Sequence, residues 1–355
     1  MAEMDIHAAT RSYEAWVRRH ISVRKKDLDL KHERMRESPF IFLRGTFYRW
    51  LQRWPEQCGP LCEAPRVLAV GDLHIENFGT WRDAEGRLIW GVNDVDEACH
   101  LPYTHDLVRL ASSTLLAIEV DHFTTIAPKD ACSAILEGYA ASLEEYGDPV
   151  VLAERRRWLR HVAINRLRDP AEFWEKLALL PVASGTVPTK TLRAVIPAGS
   201  EPMRVVRRVA GVGSLGRPRF VAIATSCGGL VAREAKAWVP SAAVWLRGRT
   251  GHTKDNVTLL RRAVRAADPF FCVRDGWIVR RLAPDCRGID LETIPDDRDE
   301  LRLLRAMGWE TGNLHLPSAR DQILKDLRRR PSNWLVKSAA RMTETVFRDW
   351  RDWGR

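Results

Sequence analysis

The chain has 355 residues, 45% of them hydrophobic, which is material for one large domain or two of ordinary size around a well-filled core. Its 56 Lys and Arg outnumber 46 Asp and Glu to give a formal charge of +10, which suits an anionic partner: a nucleotide, a phosphorylated substrate, nucleic acid or a membrane surface. The 7 Cys have no zinc-ligand spacing, the opening MAEMDIHAATRSYEAW lacks the apolar core of a signal peptide, and no run reaches the ~20 apolar residues of a membrane span, so a soluble, cytoplasmic protein with reduced thiols and no membrane partner is expected.

Residues 3–36 predict a helix with Tyr13, Trp16, Val17 and Ile21 on one face. Ser38-Pro39 interrupts it. Phe40-Ile41-Phe42-Leu43-Arg44-Gly45 then opens an aromatic-rich segment to Trp54, in which Arg44 either reaches phosphate or pairs with a core carboxylate; residues 55–65 read as a loop. Val67-Leu68-Ala69-Val70 reads as a buried strand, followed by a polar loop with Asp72, His74, Glu76 and Asn77. A turn at 83–86 returns the chain into Leu88-Ile89-Trp90-Gly91-Val92, a second strand ending in Asn93-Asp94-Val95-Asp96-Glu97. Two strands thus bring carboxylates and an amide to one end of a hairpin-like unit. Magnesium prefers such oxygens, with phosphate completing its shell. The alternative is a polar hairpin whose Asp and Asn only cap turns.

A helix from about His105 carries Leu107, Leu110, Ala111, Thr114, Leu115 and Ile118 on one face, with Asp106 in its first turn to satisfy free N–H groups. Helices follow at 131–146 and 150–180; the second bears Arg155, Arg156, Arg157, Arg160, His161 and Arg166, either a solvated or a substrate-binding face. Residues 181–188 read as a loop and the best domain boundary. Beyond it come a strand at 205–209, the glycines of Gly211-Val212-Gly213-Ser214-Leu215-Gly216, a strand at 220–224, a Gly228-Gly229 turn and a strand at 230–238. Strand, G-x-G-x-x-G, strand is not the dinucleotide fingerprint, which needs a helix after the glycines. It is the arrangement of a glycine-rich hairpin whose N–H groups approach phosphates, although hairpin tips use glycine for the turn alone as well. Lys236 is the one Lys on the next strand, with Arg233 the fallback on the opposite face. No Glu occurs between Ala235 and Leu291, so either Asp255 substitutes as the partner of Lys236 or that pairing is absent. A helix at 256–267, a hairpin of 270–273 with 277–282, and helices from 299 to 353 complete the chain.

Asp72 and Asn77 stand five apart and Asp94 ends the next strand, the offset of the protein-kinase loop HRDxxxxN and its second metal-binding Asp. Gly71-Asp72-Leu73-His74-Ile75-Glu76-Asn77 resembles the HGDLHxxN loop of aminoglycoside and choline kinases, with Val70 in place of the leading His. GDLHIENFG, NDVDEA and HDLVRLASS, preceded by SPFIFLRG, more closely resemble the bacterial family called domain of unknown function 2252, itself kinase-like. Lys236 with Pro240-Ser241 is similar to that family's Lys-x-x-x-Pro-Ser register. The resemblance covers 39–113 strongly and 205–291 more loosely.

It implies an α+β, two-lobed protein-kinase-like fold, circularly permuted. A helical catalytic and metal-binding lobe (1–185) would come first, then a glycine-loop sheet lobe (186–295), then C-terminal helices (296–355) packing on the first lobe. It implies ATP and magnesium as cofactors, and phosphoryl transfer to a small hydroxyl-bearing acceptor. Asp72 would be the catalytic residue, and Asn77, Asp94 and Asp96 the metal ligands. Gly211, Gly213, Ser214, Gly216 and Lys236 would hold the nucleotide, Asp106 would brace the loop, and His74 would shape it. The other readings are an adenylyl transferase, a catalytically degenerate nucleotide-binding module, and a nucleic-acid-binding protein, for which no recognised motif is present.

Overall fold

The computed structural model describes residues 4–120, 126–152, 158–160, 169–200, 203–248, 254–286, 288 and 297–355. The fold is mixed α+β, with antiparallel sheets. The N-terminal periodicity resolves into two helices instead of the one expected, α1 (Ile6–Arg18) and α2 (Lys25–Glu37). The chain breaks between them because Arg24 is extended and its N–H bonds the distant Gly216 carbonyl at 3.0 Å. The side chain of Asp5 caps α1, whose buried face includes Tyr13, Trp16 and Val17. Ser38 caps α3 (Pro39–Gly45) through the Ile41 N–H, with Pro39 at its start, and α4 (Phe47–Cys58) follows. The loop expected from Pro55 begins only after Cys58. Pro55 lies inside α4, which continues because Trp50, Leu51, Trp54 and Cys58 are all buried.

The strands of the central unit pair differently from the expected hairpin. β1 (Arg66–Ala69) pairs with β4 (Cys99–Pro102), while β2 (Phe78–Arg82) and β3 (Leu88–Val92) form their own antiparallel pair. Asp83 closes the β2–β3 turn by accepting from the N–H groups of Glu85 and Arg87. The next helix, α5 (Tyr103–Glu119), is buried along most of its length. α6 (Pro128–Glu144) packs on α11 (Asp297–Leu327), which kinks around Pro317 and Ala319. α12 (Trp334–Trp353) lies against α5, α4, α3 and α1, tied to α4 by the Arg49–Asp349 ion pair at 2.8 Å. The C-terminal helices thus share one hydrophobic core with the first ones and with β1, β3 and β4.

A second assembly is a five-stranded antiparallel sheet: β5 (Arg204–Arg207), β6 (Arg219–Ser226), β7 (Gly229–Ala237), β8 (Cys272–Arg274) and β9 (Trp277–Leu282). Its spatial order is β5-β6-β7-β9-β8. The alternation of side chains gives it two cores. Val206, Val221, Ala232 and Leu282 on one face are covered by Phe173 and Leu177 of α7 (Pro170–Ala178); Phe220, Ala222, Ala235 and Val279 on the other meet Leu192 of α8 (Thr189–Arg193). A short helix, α9 (Ala242–Leu246), precedes α10 (Asp255–Arg262). The helix expected over 256–267 stops at Arg262, because the Val264 N–H turns to the Asn313 carbonyl and the Ala266 carbonyl accepts from the Trp81 indole. Within the expected helix over 150–180, Val151 forms a bridge with Ile89 and α7 supplies the C-terminal part. Arg160 is exposed, and Arg155, Arg156, Arg157, His161 and Arg166 lie outside the described residues. All 7 Cys are free. No helix among the described residues is long and apolar enough to cross a membrane.

Candidate functional site

The loop after β1 is fixed at its start by α5. The Asp106 carboxylate accepts the N–H groups of Val70 at 2.7 Å and Gly71 at 2.9 Å, and lies 3.1 Å from His315 Nε2. Burial opposes its ionisation, but His105 and His315 outweigh it and hold the carboxyl well below the usual carboxylate range. Gly71 has φ +83°, and a Cβ there would clash with the Glu97 carbonyl, so this corner requires glycine.

Asp72 follows directly. Arg109, fully buried on α5, donates from Nε to Asp72 Oδ1 at 2.8 Å and from its Nη2 to the Leu43 carbonyl at 2.9 Å. Burial raises the Asp72 carboxyl above its ordinary value, with Arg109 pulling the other way. Asn77 Nδ2 donates to the Asp72 carbonyl at 2.6 Å, which leaves its amide oxygen available as an acceptor. His74 is buried, its Nδ1 without a partner among the described residues. Burial first, then Arg44 and Arg109, hold its imidazole well below its ordinary value and hence neutral. Arg44 settles as an ion pair with Glu76 at 2.6 Å on the wall of the cleft.

β3 delivers the other carboxylates. Asp94 keeps 42% of its side chain exposed and Asp96 12%. Lys236 reaches them from β7: its Nζ contacts Asp96 directly and stands 3.8 Å from Asp94. These contacts, not one with Asp255, are the lysine's ion pairs; Asp255 sits in the first turn of α10. Burial opposes ionisation of Asp94, but Lys236 and Arg280 override it and hold the carboxyl well below the usual range. Asp96 is engaged further by Arg217 at 3.6 Å, which also bonds Glu97 at 3.1 Å.

Two residues before Lys236, and on the same face of β7, Glu234 is fully buried. It gathers three guanidiniums, those of Arg208, Arg219 at 3.0 Å and Arg280 at 2.9 Å. Arg233, the fallback cation, points away from this face.

The glycine segment is not the open hairpin tip expected. Val212–Ser214 tightens into a 3₁₀ turn between Gly211 (φ +74°) and Gly216 (φ +92°). The turn seats on the end of α3, where a Cβ at Gly213 would stand 2.9 Å from the Arg44 carbonyl and 3.8 Å from Asp72 Oδ2. Ser214 Oγ accepts from Arg219 at 2.6 Å. Gly216 lies against Leu28 and Val23 of the α2 region, away from the acidic residues.

One cleft of about 520 Å³ is lined by Asp72, Asn77, Asp94, Asp96, Gly211, Gly213 and Ser214, with Arg208 and Arg280 in its wall. Lys236 meets it through Asp94 and Asp96. Sequence reasoning passed over Arg109, Arg208, Arg217, Arg280 and Glu234. Two signals were available: Arg109 follows Asp106 by three on one helix, and Glu234 alternates with Lys236 on one strand. Among the described residues no group of three or more His, Cys, Asp or Glu is arranged to hold a metal ion. Asn77 and Asp94 suit magnesium only where phosphate oxygens fill most of its shell, and Asp96 is already occupied by Lys236 and Arg217.

Residues 24–172 match a family described as an uncharacterized protein conserved in bacteria (DUF2252). The match spans the Asp72 loop, Asp94 and Asp106 and supports kinship with that bacterial family. No curated protein and no solved structure matches the chain.

Proposed function

We propose that the cleft binds ATP with magnesium and transfers a phosphoryl group to a small hydroxyl-bearing acceptor. The observation that carries this reading is convergence: Lys236 and Gly213, from the five-stranded sheet, meet Asp72 and Asp94, from the central loop, around one cleft. The glycine turn lies between the first two strands of that sheet and the Lys on the third, as in protein kinases. These parts follow the Asp72 loop in the chain, so the reading includes a circular permutation, which surface termini tolerate. The packing of α11 and α12 on the first helices fits that order.

Catalysis of this class is positioning and charge stabilisation. Arg109 holds Asp72 Oδ1 and leaves Oδ2, on the Gly213 side, to orient the acceptor hydroxyl and take its proton. The raised pKa of Asp72 suits a proton acceptor. Lys236, Arg208 and Arg280 neutralise phosphate charge. Asn77 and Asp94 would hold magnesium, which would offset the charge developing on the phosphate oxygens.

One observation favours a second reading. Where the kinase motif V-A-I-K has Ala two residues before its Lys, this chain has Glu234 with its three arginines. A cationic roof inward of Lys236 suits a triphosphate whose tail points inward, and then the AMP moiety is what transfers. ATP labelled on the γ- or the α-phosphate, incubated with pools of small hydroxyl compounds, separates the two. Product label from the γ position supports phosphoryl transfer, and from the α position adenylyl transfer. Either must vanish in Asp72→Asn; label that persists there counts against both.

A further inference from the structure

Arg233 has no role in the cleft, yet it is one of the most enclosed cations of the sheet. It lies midway along β7 beside a second cavity of about 750 Å³, which shares only Arg281 and Leu282 with the cleft. The walls are largely apolar, with Trp174, Leu230, Phe270 and Pro284 among them; Asp169 and the Arg82–Asp285 ion pair also line them. Set into these walls are Arg233 and Arg281, which face each other directly across the β7–β9 ladder. Like charges placed so are unfavourable in a sheet. Both guanidiniums also lie over one ring, that of Phe270, at 4.0 and 5.6 Å.

Arg233 is 4% exposed, and its Nε has no partner among the described residues. Its Nη1 donates to the Ala232 carbonyl at 3.0 Å. Burial and then Arg281 push its pKa down; Asp268 acts against them, with one carboxylate oxygen taken by the Phe270 N–H at 2.9 Å. A buried guanidinium without an ion pair is costly unless an anion answers it. The buried Arg233 and the half-buried Arg281, side by side in a mostly apolar cavity with two aromatic side chains, describe a ligand: charged at one end, flat and apolar over the rest.

We propose that this cavity binds a small aromatic carboxylate, its carboxylate between Arg233 and Arg281 and its ring against Phe270 and Trp174. The site adjoins the nucleotide cleft, with Arg281 and Leu282 in the wall of both, and does not depend on that cleft's function. The test is calorimetric titration of the full chain with 2-naphthoate and with its neutral isostere 2-naphthamide. The expected result is one-to-one binding of the acid, with the amide weaker by about tenfold or more, the difference a charge-assisted pair supplies. Arg233→Met and Arg281→Met should each weaken the acid by a similar factor, and saturating MgATP should not displace it. Arg281 is less buried, so its variant keeps the test available where Arg233→Met fails to fold. No saturable binding of the acid, equal affinity for acid and amide, unchanged affinity in the variants, or displacement by MgATP would each overturn the proposal.

Discussion

Arg109 sits with no exposed surface beneath Asp72, stacked 5.1 Å from the Phe47 ring and 4.8 Å from that of Trp50. Its guanidinium is the fixed charge that keeps a largely enclosed carboxylate in place, so removing it deprives Asp72 of its nearest cation. Arg109→Met should therefore cost about 3–5 kcal/mol in urea unfolding, the range for breaking a buried pair. A loss below about 1 kcal/mol, typical of a surface pair, would contradict this role. Asp106 acts through pH. Its folded pKa is depressed, so the stability it contributes is complete above its unfolded value of 3.8 and is lost as pH falls through and below that value. Asp106→Asn should flatten the acid limb of the stability curve between about pH 5 and 2, while Glu234, shifted in the same direction, keeps part of the slope. Denaturation midpoints across that range check it; an unchanged slope contradicts it. Asp72, Asn77 and Asp94 were legible because their spacing belongs to a short loop and the strand after it. The arginines were not. An Arg alternating along a strand reads as solvated until the carboxylate opposite it is known, and Glu234 is opposite Arg280 only in the folded sheet.

Among the elements, the helices α6 and α11 cross with their backbones in contact. A Cβ on Gly138 would overlap the Arg305 carbonyl, and one on Gly308 the Ile135 carbonyl, so the two backbones touch where glycine permits it. Ala in place of Gly ordinarily favours an exposed helix interior by about 1 kcal/mol. Here the sign should reverse. Gly138→Ala should lower stability by about 1–3 kcal/mol by forcing the helices apart, read as a fall in thermal midpoint; a rise would show that the helices move without cost. α5 and α6 were legible from periodicity to within a few residues, because each buries one face along its length. The break before α2 was not, since it depends on the Arg24–Gly216 hydrogen bond, which joins segments far apart in sequence. β2 was missed for a similar reason: Phe78-Gly79-Thr80-Trp81-Arg82 becomes a strand by pairing with β3.

At the scale of the whole molecule, the cleft lies where the five-stranded sheet meets the helical core. Lys236, Glu234 and the glycine turn come from one side, and Asp72, Asn77 and Asp94 from the other. The sequence carried each half separately, one as a loop motif and one as a glycine-rich hairpin. It did not carry their meeting, nor that Asp96 rather than Asp255 would hold the lysine, because those depend on how the sheet sits on the core. Calorimetric titration of the full chain with ATP and magnesium tests the central claim most directly. Saturable binding at one site is expected, abolished in Asp94→Ala and weakened by about tenfold or more in Lys236→Met, with both variants folded. Failure of the folded wild-type chain to bind ATP with magnesium, or binding unchanged in Asp94→Ala, would contradict it.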